Sequence, residues 1–124
     1  MASRPLIAPH SVITDGSMAG DITSEITIIT NSTLVCYTVS WAGTSPIGEC
    51  QVQVSNDYKI SASGSVQNAG TWTTLTLSAT ATVTGNTGTG VIELANLASY
   101  AIRLKYIRTS GTGTMQAVLT AKVQ

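Results

Sequence analysis

The 124-residue sequence contains no phenylalanine, a single histidine and few charged residues. Charged side chains make up 10% of the chain, and the 6 basic residues balance the 6 acidic ones. Nucleic-acid-binding domains need an excess of basic side chains to displace counterions from phosphates. No apolar run approaches the ~18 residues of a membrane-spanning helix. These absences argue against a nucleic-acid partner and against a membrane partner.

Two cysteines and one histidine are too few ligands for a zinc site. The first residues include Arg4 but lack the apolar stretch of a secretory signal, so we expect synthesis and folding in a cytoplasm. There we interpret Cys36 and Cys50 as a reduced, buried pair, with a disulfide between adjacent strands as the open alternative. No metal and no cofactor is expected.

Threonine, serine and glycine, with 20, 14 and 11 copies, dominate the polar part of the chain. Apolar residues alternate with these polar ones in several runs, which is the period of strands with one solvated face. Examples are Val35, Tyr37 and Val39, then Ile102, Leu104 and Tyr106. The pattern predicts an all-β chain of seven to nine short strands in an antiparallel, jelly-roll-like β-sandwich, with a barrel as the alternative.

Glycine-rich stretches separate these runs. We expect tight hairpin connections at 85–90 and at 110–113, and one continuous strand from Thr73 to Val83 between turns. Residues 1–20 carry Pro5 and Pro9 and are interpreted as an extended N-terminal arm, followed by a sandwich domain over residues 21–124. The arm either forms an edge strand on its own sheet or packs on a neighbouring subunit.

The catalytic inventory is poor. The only imidazole, His10, lies in the arm, and no G-x-S-x-G motif is present. The six carboxylates are scattered without a diagnostic spacing for acid–base chemistry. We therefore predict that the chain is not an enzyme and has no catalytic residues.

Aromatic and basic residues supply the candidate interface. Tyr58 is expected to be exposed, whereas Trp72 and Trp41 either fill the ends of the core or stack on a sugar ring. Basic side chains along one predicted strand either protect a sheet edge or pair with acidic groups of a neighbour. The candidate residues for an interface or a sugar-stacking site are Trp41, Tyr58, Trp72, Arg103, Lys105 and Arg108.

An ordered set of short segments resembles the small β-sandwich virion proteins of bacteriophages, which include capsid decoration, head-fibre and spike proteins. The segments span roughly residues 18–123 and are Gly20–Ser24, Val39–Gly48, Val52–Asp57, Gly70–Leu75, Ala101–Tyr106, Ser110–Met115 and Thr120–Val123. The central stretch is also similar to discoidin-like (galactose-binding-like) domains, a resemblance that implies framework roles for Trp72 and Arg103.

The resemblance implies a non-enzymatic structural protein of the virion, present in many copies and associated with the capsid. Its expected partners are other virion proteins and further copies of itself, with a trimer favoured. The alternative is a carbohydrate- or receptor-binding module of a phage tail or spike, with a glycan as its ligand.

Overall fold

The computed structural model describes residues 5–29, 33–77, 81–95, 97 and 99–122, and these form antiparallel β-strands joined by turns and loops. Across these described residues there is no helix with the length and hydrophobicity to span a membrane. The strands are β1 (Pro5–Ser17), β2 (Ile22–Thr23), β3 (Thr27–Ile28), β4 (Leu34–Ser55), β5 (Lys59–Ile60), β6 (Val66–Asn68), β7 (Thr73–Thr74), β8 (Ala81–Val83), β9 (Thr87–Leu94) and β10 (Ala101–Lys122).

Two strands of 22 residues each, β4 and β10, organise the molecule. They pair with each other along their whole length, from Leu34 opposite Lys122 to Ser55 opposite Ala101. Midway along both strands their pairing register shifts, between residues 108 and 112 of β10. Bulges of this kind bend a strand, and we call this place the bend. The backbone there adopts positive φ at Ser45 (46°) and Gly111 (80°).

The bend also changes which residues face inward. Before it, β4 buries the odd-numbered Tyr37 and Val39; after it, β4 buries the even-numbered Cys50 and Val52. Because side chains alternate along a strand, a bulge is needed to change this parity. The bend therefore lets each long strand present apolar side chains to a single core from both of its halves.

Shorter strands flank these two long ones and complete two four-stranded half-sheets. Half-sheet A consists of β1, residues 114–122 of β10, residues 35–42 of β4, and β9. Half-sheet B consists of β2 with β3, residues 101–106 of β10, residues 48–55 of β4, and β7 with β8. Both contribute to one buried cluster, so the predicted antiparallel β-sandwich is confirmed. The largest fully buried side chains are Tyr37, Tyr106, Met18, Ile29, Ile102, Leu104, Met115 and Leu119.

Two predicted hairpins are wrong. Residues 110–113 lie inside β10, at its bend, and the strands on either side of them are one continuous strand. Residues 84–86 join β8 to β9, but these two strands pair with different parts of β4 and not with each other. The link therefore crosses from half-sheet B to half-sheet A. Glycine adopts the backbone conformations of a bulge, or of a link between half-sheets, as readily as those of a hairpin turn. The composition alone therefore favoured the wrong connection.

The strand predicted from Thr73 to Val83 is interrupted. Among the described residues of this range, β7 and β8 pair with β4, and Leu75 and Leu77 are half-buried against the core without lying in a strand. Ala79, also expected on that strand, lies outside the described residues.

The N-terminal segment forms β1 on the sheet of its own chain, with Val12 and Ile13 buried, which is the first of its two expected arrangements. The Glu25 backbone N–H donates to the Val12 carbonyl over 3.0 Å. That bond joins β1 to the segment between β2 and β3, so the sandwich is closed on this side. The division of the chain at residue 20 stays a prediction.

Candidate functional site

Three of the six predicted residues meet in one cluster beside half-sheet B. The rings of Tyr58 and Trp72 lie with their centroids 5.9 Å apart and their planes inclined at 51°. The Arg103 guanidinium carbon lies 4.3 Å from the centre of the Trp72 ring. This distance is within cation–π range, so the cation covers one face of the indole. We call Tyr58, Trp72 and Arg103 the aromatic cluster.

Hydrogen bonds hold the loops that carry the two rings. Asp57 accepts from the Thr71 backbone N–H at 2.6 Å and from the Ser55 hydroxyl at 2.8 Å. These donors stabilise the charged carboxylate and hold the pKa of Asp57 below its usual value. The Trp72 indole N–H donates to the Ala69 carbonyl at 2.9 Å. The bonds fix the loop before β7 to the end of β4.

The cation is also held in place. Arg103 lies on β10 directly opposite Gln53 on β4, and its Nε–H donates to the Gln53 Oε1 at 2.8 Å. The Gln53 amide in turn donates to the Thr74 hydroxyl at 3.3 Å. A chain of polar contacts thus runs across three neighbouring strands beneath Trp72. Gln53 was missed from the sequence, because its role depends on the pairing of two strands that are distant along the chain.

Tyr58 and Trp72 differ from expectation in their surroundings. Tyr58 is half-buried against Trp72, whereas the aromatic side chain with clear exposure is Tyr100, at 38%. Trp72 is half-buried beside Arg103 and Tyr58 and does not belong to the described core cluster. The expectation that it fills one end of the core is wrong, because its ring contacts the Arg103 guanidinium and Tyr58.

Trp41 lies away from the aromatic cluster, at the bend. Its ring packs against the core, and its indole N–H donates to the Gly85 carbonyl at 3.3 Å. A Cβ placed on Gly88 would overlap this ring. Trp41 therefore fixes the start of β9 against β4 and does not join Tyr58 and Trp72 in one binding surface.

Of the remaining two cations, Lys105 shares an outer face of β10 with Arg103, whereas Arg108 has the opposite parity. Lys105 lies on β10 opposite Gln51, whereas Arg108 lies at the bend, where its Nε–H donates to the Gly111 carbonyl at 2.9 Å. Strand β10 pairs on both sides, with β4 and with β1 to β3. The edge-protection interpretation of these residues is wrong, because β10 is an inner strand.

The two cysteines are free and differ in burial. Cys50 is buried, and this burial raises the pKa of its thiol to about 12. Cys36 is half-buried, and its pKa is also raised, mainly by desolvation and then by Glu93. The expectation of reduced thiols agrees with the structure, but the expectation that both are buried is wrong for Cys36.

Two concave sites flank β9. A concave site of about 460 Å³ lies at the end of β9 and is lined by residues that include Leu34, Cys36, Glu93 and Lys122. One cavity of about 140 Å³ lies between β8 and β9 and is lined by core residues that include Val39, Cys50, Val83 and Ile92. His10 is exposed on β1. A search of the described residues finds no group of three His, Cys, Asp or Glu side chains that could hold a metal ion.

Comparison with known proteins identifies similar folds. No family model matches the sequence, and no curated protein matches it. The crystal structure of the SPBc2 prophage-derived protein YomS is similar over 97% of both chains, with a TM-score of 0.50 and 8% identity. A structure of the infectious bursal disease virus Gx strain is similar over 97% of this chain, with a TM-score of 0.51 and 12% identity. This chain spans 32% of that viral chain. The chain therefore shares its all-β fold with a prophage-derived protein and with part of a viral protein.

Proposed function

We propose that this chain is a non-enzymatic structural protein of a virus particle, assembled in many copies through contacts with neighbouring subunits. Two structures with a similar fold come from a prophage and from a virus. Both are similar over 97% of this chain, and the prophage-derived protein is also matched over 97% of its own length. The proposal places the protein in the virion, among other virion proteins, with a bacteriophage as the favoured source. Decoration, head-fibre and shell roles all fit this function.

The observation that carries the proposal is the strand path. Half-sheet A has the order β1, β10, β4, β9, and half-sheet B has β2 with β3, then β10, β4 and β8 with β7. In chain order this path agrees with that of an eight-stranded, double-sheet jelly roll, an architecture common in viral capsid domains, and this agreement supports the proposal. A fold hosts many functions, so the surface must supply further support.

The outer faces of the sandwich supply that support. The outward side chains of the two long strands include four charged residues, Glu49, Arg103, Lys105 and Lys122, of the 12 in the chain. Uncharged polar residues are more frequent there; they include Thr38, Ser40, Gln51, Gln53, Gln116 and Thr120. A surface with so little charge has weak long-range repulsion between copies. Subunits of this kind can pack closely at any ionic strength, as a particle in many copies requires.

The proposal is tested on particles purified from cells that carry the gene. Quantitative mass spectrometry is expected to find this chain in a fixed ratio to the major particle protein, through successive density gradients. Electron microscopy of the same particles then locates it on the shell, the head fibres or the tail. Complete absence from gradient-purified particles would refute the proposal.

The receptor-binding alternative is favoured by one observation, the gathering of Tyr58, Trp72 and Arg103 beside one pair of loops. A ring flanked by a cation and a second ring is suited to stacking on a sugar. The chain has 2 tryptophans, so Trp41→Phe isolates the fluorescence of Trp72, and Trp72→Phe isolates that of Trp41. Binding at the aromatic cluster requires glycan-dependent quenching in the first variant only; equal responses, or none, would exclude it.

A further inference from the structure

The two outer strands of half-sheet A differ in how well they resist a further strand. Strand β1 contains Pro9, which lacks a backbone donor, and its pairing with β10 is broken by four register shifts. Strand β9 pairs with β4 over eight consecutive residues without a shift and contains no proline. Prolines and bulges are the usual devices that protect a sheet edge, so β1 is protected and β9 is not.

The β1 side and the β9 side of the sandwich also differ in how completely they are closed. On the β1 side, a backbone hydrogen bond from Glu25 to Val12 joins the half-sheets, and Met18 is fully buried. On the β9 side, the cavity of about 140 Å³ opens between β8 and β9 and reaches the core at Val83 and Ile92. The fold is thus closed at one side and open at the other.

The outer edge of β9 leaves backbone N–H and C=O groups free to pair with another strand. Alternate residues of an edge strand direct their N–H and C=O groups away from the sheet. Within the described ranges, β9 pairs with β4 alone, and no second strand lies on its other edge. Val91, near the middle of β9, is 58% exposed. An apolar side chain and a row of unpaired backbone groups therefore lie together on this edge.

We propose that the β9 edge binds the β9 edge of a second copy of this chain, antiparallel, and extends half-sheet A across the contact. Addition of a strand to an exposed sheet edge is an established mode of recognition, in which backbone hydrogen bonds provide the affinity. Pairing of like edges is isologous and closes with two-fold symmetry. It leaves the rest of the surface free for the expected trimer contact.

Charge and side-chain size favour a second copy as the occupant. Glu93 is the only charged residue of β9. Residues that lie directly opposite each other in an antiparallel pair share a face of the sheet, so a two-fold contact pairs positions of the same parity. In the register centred on Val91, Glu93 of one copy lies opposite Thr89 of the other, and the two Val91 side chains lie opposite each other. No like charges oppose each other directly, and the two exposed valines contact each other. Direct pairs of like charge are what destabilises cross-strand contacts, so this edge is compatible with itself.

The inference deepens the proposed assembly function and rests on it, because it names one surface through which copies meet. Two matched variants test it. Val91→Lys places a cation on the β9 edge, next to the same cation of the partner. Val66→Lys makes the same change at a valine that is equally exposed, at 58%, in the β5–β6 hairpin. Both side chains are largely in solvent, so both variants are expected to keep the wild-type unfolding temperature.

Sedimentation equilibrium of the purified full chain measures the outcome. We expect concentration-dependent self-association of the wild type and of Val66→Lys, and association weakened about tenfold or more in Val91→Lys, a change of about 1.4 kcal/mol. Hydrogen exchange at β9 amides is expected to slow as the wild type associates. A wild type that stays monomeric, or equal association of the two variants, would overturn the inference. Absence of the chain from particles refutes the assembly function separately, since it leaves the association constant unaffected.

Discussion

Substitution of Gly111 tests whether the bend in the two long strands maintains the sandwich. Gly111 has a φ of 80°, and a Cβ placed on it would overlap the backbone of Ser45 on the neighbouring strand. Alanine in this left-handed conformation costs ~1 kcal/mol or slightly more. Overlap with backbone that cannot rotate away adds ~1–3 kcal/mol, because β4 and β10 must move apart. We expect Gly111→Ala to lower the free energy of unfolding by ~2–4 kcal/mol.

Gly64 provides the matched control. Its φ is 90°, but no atom lies within 4 Å of a Cβ placed there, because it lies at the tip of the β5–β6 hairpin. Gly64→Ala therefore carries the conformational cost without the overlap, and should lose only ~1 kcal/mol. Urea unfolding followed by circular dichroism measures the free energy of unfolding of both variants. The comparison requires that this free energy falls with urea concentration at the same slope in both. Equal losses in the two variants would show that the close approach at the bend contributes nothing, and would refute this account of it.

Two further predictions concern the core. Gly88→Ala should destabilise the protein by ~1–3 kcal/mol, because its Cβ overlaps the Trp41 ring, whereas Gly90→Ala, with open space around it, should be neutral or slightly stabilising in the same unfolding assay. Stability should also fall as pH rises from about 9 towards 12, because the Cys50 thiol has its ordinary pKa of 9.0 when unfolded and a pKa of about 12 when folded. The unfolded chain loses its proton first and is favoured in that range. Cys50→Ala should reduce this slope, and an unchanged alkaline profile would contradict the assignment.

Much of the sheet was predictable from alternation. The period of two correctly predicted the inward faces around Tyr37 and Leu104, because a strand with one solvated face must alternate. The connections were not predictable in the same way. At 110–113 the chain needs glycine for a bulge inside a continuous strand, and the local residues are those that a hairpin turn would use. Only the partner strand distinguishes the two, and its identity is not local information.

The candidate site was likewise only partly predictable from the sequence. Residue chemistry was sufficient to select Tyr58, Trp72 and Arg103, since large rings and guanidinium groups are frequent in binding surfaces. Their proximity depends on the register that places Arg103 opposite Gln53, fifty positions apart along the chain. Alternation along β10 keeps Lys105 on the same face as Arg103, opposite Gln51, whereas Arg108 has the opposite parity and lies at the bend.

The strands that hold this fold together are separate from the surfaces proposed to bind other molecules. Strands β4 and β10 form the inner strands of both half-sheets, so the halves cannot separate without breaking the 22-residue strands that they share. The features proposed to meet other molecules lie at the periphery: the β9 edge and the loops of the aromatic cluster. Substitutions such as Val91→Lys can therefore alter assembly while the inner strands preserve the fold.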